Sequence, residues 1–127
     1  VVDFISVGTN DLSQYLFAAD RQNAQLATLL DPWQPALLKA LKEICDRANQ
    51  VGIKVGVCGE AASDPLLCVF LMGIGVTTLS SGAGALTSVQ DVVSRISPAA
   101  AQAAVKVALA AKSAQEAKQF VLASLVN

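Results

Sequence analysis

Three short runs of apolar, mostly β-branched residues alternate with helical patterns in the first part of the chain. The runs at residues 1–7, 53–57 and 76–79 predict β-strands, and the first of them suits a strand covered on both faces. A polar turn that contains glycine follows each run, and apolar residues at helical spacing come next. Because alternating strands and helices indicate parallel strands joined by crossover helices, the predicted fold class is α/β.

The segments between the strands predict helices whose ends are marked by proline and by capping residues. Residues 23–30 predict a short helix, which the Asp-Pro-Trp-Gln-Pro stretch at 31–35 interrupts before Pro35 opens the next helix. Asp64 and Pro65 have the form of an N-cap and a first helical position, and the helix that follows is apolar nearly all round. We therefore expect that helix to be buried. The apolar face of the helix that Pro35 opens consists of Leu37, Leu38, Leu41, Ile44, Cys45 and Ala48.

Capping patterns predict three more helices towards the end of the chain. A capping box at residues 87–90 opens one helix, a Ser-Pro pair at 97–98 starts an alanine-rich helix, and a second capping box at 113–116 opens the last. The predicted organisation is a single domain. Its βα units occupy residues 1–96, and additional C-terminal helices occupy residues 97–127.

Side chains capable of chemistry follow the first two predicted strands. The turn Gly-Thr-Asn-Asp ends the first strand, and Val-Cys-Gly-Glu ends the second. If these strands are neighbours in a parallel sheet, both turns lie at the edge where α/β folds bind ligands. Asn10 can hydrogen-bond an oxyanion, Asp11 is a hard oxygen ligand suited to Mg²⁺, and Arg21 can pair bidentately with phosphate. The thiol of Cys58 could trade a proton if it is exposed at that edge.

Ordinary structural roles stay open for the polar residues of the first turn. Asn10 and Asp11 are both of the residue types that favour helix N-caps, and on local pattern alone capping is the stronger interpretation. Arg21 could instead form a surface ion pair with Asp20 or Asp31.

The same holds for the second turn and for the other cysteines. Cys58 could be an inert small hydrophobe, which is the role that we expect for Cys45 and Cys68 on their apolar helix faces. Glu60 could be a solvated turn residue. The aromatic residues that we expect to pack in the core are Tyr15 and Trp33.

The composition narrows the classes of function. The chain has 127 residues, of which 54% are hydrophobic and 15% charged. We therefore expect exposed apolar surface that is buried when the chain forms a homodimer or a larger oligomer. The net charge of -1 and the lack of a basic patch argue against nucleic-acid binding. The chain contains no histidine, which excludes a histidine nucleophile, base or metal ligand within it.

The number and spacing of the cysteines and the length of the apolar runs indicate where in the cell the protein is located. Three cysteines without C-x-x-C spacing make a disulfide framework a poor fit and favour a reducing cytoplasm. The longest apolar run, at residues 66–76, is too short to span a bilayer. Because the chain begins inside a strand-like run without a methionine, we expect it to be a piece of a longer polypeptide.

Two stretches of the sequence resemble a known enzyme family. DFISVGTNDLSQYLFAADR at residues 3–21 and VGVCGEAASDP at residues 55–65 closely resemble the phosphoenolpyruvate-utilising enzymes. Within that family they are most similar to enzyme I, the phosphoenolpyruvate-protein phosphotransferases, and the first stretch is similar to the nitrogen-related branch. The resemblance covers nearly the whole chain.

This resemblance implies a fold, a reaction and a role for each candidate residue. The chain would form the last three βα units of a TIM-type (β/α) barrel that binds phosphoenolpyruvate and Mg²⁺. Asp11 would be a Mg²⁺ ligand and, with Asn10, would bind the substrate, while Arg21 would contact the phosphoryl group. Cys58 would protonate the enolate to give pyruvate. The phosphoryl group would pass to a histidine on a separate N-terminal domain and then to the phosphocarrier protein HPr or a relative.

Other interpretations stay open beside this one. The chain could be a non-catalytic half-barrel used for oligomerisation or regulation, or part of a pyruvate phosphate dikinase or a phosphoenolpyruvate synthase. Residues 80–84, after the third predicted strand, depart from the family pattern, so no functional residue is assigned to that turn. With part of the site outside the chain, we expect the fragment to be inactive alone.

Overall fold

The protein contains a small parallel sheet of three strands in a computed structural model that describes residues 2–126. Its strands run in the order β1-β2-β3, and both pairs are parallel. Gly8 lies opposite Cys58, and Cys58 lies opposite Ser80, so the three strands end along one edge, which we call the carboxyl edge. The predicted α/β class with parallel strands is confirmed. The strands are β1 (Phe4–Gly8), β2 (Lys54–Cys58) and β3 (Thr78–Ser80).

Helices connect the strands and follow them. The segment predicted as a helix at 23–30 is a 3₁₀-helix, Ala24–Leu30, with Asn23 as its side-chain cap. Two shorter 3₁₀-helices, Glu60–Ser63 and Ala83–Ala85, follow β2 and β3. No helix described between residues 2 and 126 is long and apolar enough to cross a membrane. The α-helices are α1 (Thr9–Phe17), α2 (Pro35–Gln50), α3 (Pro65–Gly73), α4 (Leu86–Arg95), α5 (Pro98–Ala110) and α6 (Ala114–Val126).

The core forms where α2, α3 and α5 pack with β2. Helix α3 is buried as predicted, because apolar side chains surround nearly its whole circumference. The predicted face of α2 is also confirmed, with Ile44 only partly buried and its other members inside the core. The fully buried side chains of α3 are Leu67, Cys68, Val69, Phe70 and Leu71.

Two expectations about apolar residues near β1 are wrong. β1 lies at the edge of the sheet in residues 2–126, and Phe4 is 67% exposed, so the strand is not covered on both faces. Tyr15 was expected to pack, yet it is 87% exposed on α1. Trp33 is buried as expected, and its indole Nε1–H donates to the Asp64 carboxylate at 2.8 Å.

Most of the predicted helix starts are confirmed. Asp64 accepts hydrogen bonds from the Leu66 and Leu67 backbone N–H groups, and Ser97 accepts one from Ala100. Ser113 likewise accepts from the backbone N–H of Glu116.

The capping box predicted at residues 87–90 is wrong. A 3₁₀ turn runs directly into α4, which therefore starts one residue before the predicted cap, with Ala85 at the N-cap position. Ser88 lies inside the helix, and its hydroxyl donates to the Ala85 carbonyl at 2.9 Å. A capping pattern identifies a helix end only where the preceding backbone is extended.

Helices α3 and α5 approach each other closely at Gly73. A Cβ added there would lie 2.6 Å from the Val105 Cγ2 atom and 2.7 Å from the backbone carbonyl carbon of Ala101. The obstacle is largely backbone, which cannot rotate away as a side chain can. Only glycine therefore allows this helix–helix distance.

Gly73→Ala is expected to destabilise the protein by about 1–3 kcal/mol, because the added methyl group must push α5 away from α3. Urea unfolding of the purified protein measures the change as a lower midpoint. Gly84→Ala is the matched control, since a Cβ at Gly84 meets no atom within 4 Å. Equal midpoints for the two variants would contradict the close contact.

Candidate functional site

The first turn of α1 joins the end of β1 to the turn that follows β2. The Thr9 hydroxyl donates to the Cys58 carbonyl oxygen at 3.0 Å, and the Glu60 backbone N–H donates to Asn10 Oδ1 at 2.9 Å. Asp11, the next residue, is exposed to solvent. The predicted meeting of the two turns at the carboxyl edge is therefore confirmed, and side-chain hydrogen bonds hold it together.

The capping role considered for Asn10 and Asp11 is wrong. The N-cap of α1 is Gly8, which has no side chain to cap with, and the two polar residues lie within the first helical turn. Asn10 accepts its hydrogen bond across the carboxyl edge, from a residue 50 positions away, instead of from its own helix. Asp11 places a negative charge near the positive end of the helix dipole, which is a favourable position.

The turn after β2 depends on Gly59. Its φ is +99°, a backbone conformation that favours glycine. A Cβ there would lie 2.5 Å from Asn10 Oδ1 and 2.8 Å from Thr9 Oγ1, so the two side-chain oxygens rest directly against the glycine backbone. This contact sets the path of the chain between Cys58 and Glu60.

Cys58 lies at the end of β2, next to the end of β1. The residue is half-buried, and its thiol lies 3.7 Å from the Val7 carbonyl oxygen, to which it donates. A Cβ at Gly8 would lie 4.0 Å from the Cys58 sulfur and 3.8 Å from Asp11 Oδ2. The thiol and the Asp11 carboxylate therefore flank the same glycine.

Arg21 belongs to the same region through Gln14. The Arg21 backbone N–H donates to Gln14 Oε1 at 3.1 Å, and Gln14 Nε2 lies 3.5 Å from Asp11 Oδ1. The surface ion pairs considered for Arg21 with Asp20 and Asp31 are not among those in residues 2–126. The exposed guanidinium group can therefore receive an anion. A cleft of about 50 Å³ is lined by Thr9, Asn10, Ser13, Arg21, Leu30, Pro32 and Glu60.

The metal-binding capacity of these residues is small. Across residues 2–126 there is no group of three or more His, Cys, Asp or Glu side chains that could hold a metal ion. Asp11 offers one exposed carboxylate next to Gly8 at the carboxyl edge. Because Mg²⁺ usually binds through one or two carboxylates together with substrate phosphates and water, this set fits part of a Mg²⁺ site and not a whole one.

Two residues of the site were not singled out by the sequence patterns. Thr9 forms the bond to Cys58, and Ser63 connects the exit of β3 to the same turn. Ser63 Oγ accepts from the Gly82 backbone N–H at 3.0 Å and donates to the Gly59 carbonyl at 3.5 Å. For Thr9, the position directly after the first strand was the available signal, although hydroxyl residues are common in turns, while Ser63 lies five residues after β2 and had no such signal.

The other two cysteines are placed as expected for core residues. Both are buried, and burial raises the pKa of the Cys45 thiol and of the Cys68 thiol to about 11, with smaller contributions from Asp46 and Asp64 respectively. Cys58 is the half-buried member of the set. The three thiols are therefore expected to differ in reactivity.

At about pH 8, iodoacetamide is expected to modify Cys58 in the native protein and to leave Cys45 and Cys68 unmodified, because thiolate is the reactive form. Mass spectrometry of proteolytic peptides measures the labelling at each site. Labelling of all three cysteines in urea is the positive control. Native labelling of Cys45 or Cys68 at a rate matching Cys58 would contradict the burial.

Comparisons with known proteins place the chain in a family. A family model described as PEP-utilising enzyme, PEP-binding domain, matches residues 1–98. A phosphoenolpyruvate-protein phosphotransferase of Streptomyces coelicolor is 48% identical over 124 residues, which cover 98% of this chain and 22% of that protein. A phosphoenolpyruvate-dependent phosphotransferase system protein of Escherichia coli is 40% identical over 122 residues, or 96% of this chain and 16% of that protein. A phosphoenolpyruvate synthase of Pyrococcus furiosus is 37% identical over 94 residues, or 74% of this chain and 12% of that protein. The chain thus spans about a fifth or less of the length of these relatives.

Proposed function

Because the chain belongs to the PEP-utilising enzymes and matches their PEP-binding domain, we propose that it forms part of the substrate site of a phosphoenolpyruvate-protein phosphotransferase. One observation carries the proposal: Asn10 and Arg21 line one cleft at the carboxyl edge, and the Asp11 carboxylate and the Cys58 thiol flank Gly8 at the same edge. An anion-binding arginine, an amide, a carboxylate and a thiol form a chemically sensible set for a small phosphorylated acid.

Substrate binding is assigned to Asn10, Asp11 and Arg21. Since Asn10 Oδ1 accepts from Glu60, the other end of the amide, Nδ2, is the end that can donate to a substrate oxygen. The Arg21 guanidinium matches the geometry of a phosphoryl group and offsets its negative charge. Asp11 would hold Mg²⁺ together with a second carboxylate from outside this chain. When bound, Mg²⁺ stabilises negative charge on the phosphoryl oxygens.

The reaction divides into a phosphoryl transfer and a proton transfer. The P–O bond of phosphoenolpyruvate breaks as a bond forms between phosphorus and a histidine nitrogen, and the enolate of pyruvate leaves. That histidine lies outside this chain, which contains none. The Cys58 S–H then gives its proton to the methylene carbon of the enolate, which yields pyruvate and a thiolate that recovers a proton from water.

The proposal also includes a fold for the full-length protein and a set of partners. The three strands and their helices would be the last three βα units of a TIM-type barrel, followed by C-terminal helices at residues 97–127. The exposed side of β1, including Phe4, supports further strands beside it. HPr or a relative would receive the phosphoryl group from the missing histidine domain. A homodimer or larger oligomer and a cytoplasmic location stay predictions.

A second candidate function rests on one relative. The similarity to the phosphoenolpyruvate synthase of Pyrococcus furiosus favours a nucleotide-dependent synthase or dikinase as the alternative. Transfer of a labelled phosphoryl group from phosphoenolpyruvate to HPr by the full-length protein supports the phosphotransferase. Transfer of the labelled phosphoryl group to a nucleotide in place of HPr would support the synthase instead, and a full-length protein without any transfer would favour a non-catalytic half-barrel.

Arg21→Lys is expected to weaken phosphoenolpyruvate binding by about tenfold, because lysine keeps the charge and loses the planar pair of donors. Calorimetric titration of the full-length protein in the presence of Mg²⁺ measures the affinity. Arg47→Lys is the matched control, since Arg47 is exposed on α2 and lies 3.8 Å from Glu43, away from the cleft. Unchanged affinity in Arg21→Lys would remove Arg21 from the substrate site.

A further inference from the structure

Thr9 is unusual among the polar residues of the protein because it is buried. Its exposure is 2%, and within residues 2–126 only Ser13, at 3%, is a similarly buried polar residue. The Thr9 hydroxyl has a defined partner, the carbonyl oxygen of Cys58, across 49 positions of sequence. A buried hydroxyl is costly without a hydrogen bond, so this bond determines how the side chain is placed.

The bond acts on the peptide that links Cys58 to Gly59. That peptide leads into the φ of +99° at Gly59, and Thr9 Oγ1 packs against the same glycine. Because this peptide adjoins the Cys58 Cα atom, its orientation helps to place the Cα–Cβ bond that carries the thiol. The thiol itself donates one long hydrogen bond of 3.7 Å to the Val7 carbonyl, which is a weak restraint.

We infer that Thr9 is a positioning residue for Cys58: the Thr9 hydroxyl holds the backbone from which the Cys58 thiol extends. The inference rests on the proposed role of Cys58 as a proton donor. In it, Thr9 affects the reaction through the Cys58 backbone and does not contact the substrate. Proton transfer to carbon needs the donor at contact distance, so a displaced thiol would slow that step with little effect on substrate affinity.

The test compares Thr9→Val, which removes the hydroxyl, with Thr9→Ser, which keeps it. Thr77→Val is the matched control, because the Thr77 hydroxyl also donates to a backbone carbonyl of β2, that of Val55, at 3.1 Å. Val55 lies towards the other end of the strand from Cys58. In case valine crowds Gly59 and prevents folding, Thr9→Ala removes the hydroxyl without placing a methyl group there, and it is compared with the same controls.

Two measurements on the full-length protein separate positioning from general stability. The first is the alkylation rate of Cys58 by iodoacetamide, well below the melting temperature. We expect this alkylation rate to increase by about two- to tenfold in Thr9→Val, which corresponds to the free energy of one lost hydrogen bond. The second is steady-state pyruvate formation, for which we expect kcat to fall by about tenfold and KM for phosphoenolpyruvate to stay within about twofold.

Rescue of both measurements in Thr9→Ser, with wild-type values in Thr77→Val, supports the inference. An unchanged Cys58 alkylation rate in both Thr9→Val and Thr9→Ala would overturn it, as would equal losses in Thr9→Ser. Normal turnover in a Cys58→Ala variant would instead defeat the proposed role of Cys58 in catalysis. The alkylation rates would still decide whether Thr9 positions the thiol.

Discussion

Cys58→Ala is expected to slow pyruvate formation by at least about a hundredfold, the usual contribution of a general acid at its lower limit. Alanine keeps the strand and the turn but has no proton to give to the enolate. Phosphoryl transfer to the histidine does not need that proton, so the two halves of the reaction should separate. Rapid-quench measurement of phosphorylated protein beside steady-state pyruvate production detects this separation in the full-length protein.

The other two cysteines provide the controls for this prediction. Cys45→Ala and Cys68→Ala change buried core residues and are expected to lower stability while leaving turnover close to that of the wild type. Mg²⁺-dependent binding of phosphoenolpyruvate should persist in Cys58→Ala, because Asn10 and Arg21 are unchanged. Near-normal pyruvate formation in Cys58→Ala would make Cys58 a packing residue and would weaken the phosphotransferase assignment.

Asp11→Asn is expected to reduce Mg²⁺-dependent phosphoenolpyruvate binding by at least about tenfold. Loss of a group that only hydrogen-bonds to a metal ligand already lowers metal affinity by about 10- to 100-fold. Loss of a carboxylate that itself binds the metal should lower it by no less. Asparagine has nearly the same shape as aspartate, so α1 and the hydrogen bond that the Glu60 backbone N–H donates to Asn10 should be retained. Calorimetric titrations with and without Mg²⁺ isolate the metal-dependent part of the affinity.

The control for Asp11 is another exposed carboxylate that lies on a helix. Asp91 on α4 pairs with Arg95 at the surface, and Asp91→Asn is expected to leave phosphoenolpyruvate binding unchanged. If Asp11→Asn kept its full Mg²⁺-dependent affinity, the proposed metal site would have to lie elsewhere. Circular dichroism of both variants checks that the fold is intact.

The parts of the fold that depend on local pattern were predictable from the sequence. The three strands, the buried helix α3 and the caps at Asp64 and Ser97 follow from periodicity and from short-range hydrogen bonds. The meeting of the turns after β1 and β2 was also predictable, because parallel neighbouring strands end at the same edge. The polar residues that follow neighbouring parallel strands are therefore brought together by the topology alone.

The interactions that span long stretches of sequence were not predictable. A capping role for Asn10 was reasonable on local grounds, and it failed because the competing donor, the Glu60 backbone N–H, comes from a distant turn. The roles of Thr9 and Ser63 depend on the same kind of distant partner. Tyr15 and Phe4 have the character of packing residues, but the pattern reports hydrophobicity and not which neighbour covers it.

The close approach of α3 and α5 at Gly73 ties the helix α5 to the part of the chain that matches the family model. The family match ends at residue 98, the first residue of α5, yet Ala101, Ala104 and Ala108 of that helix belong to the same buried core as α3. A recombination event at residue 98 would therefore leave the apolar surface of α3 bare beside Gly73. A shortened protein would therefore need to keep α5 together with the three strands if α3 is to stay buried.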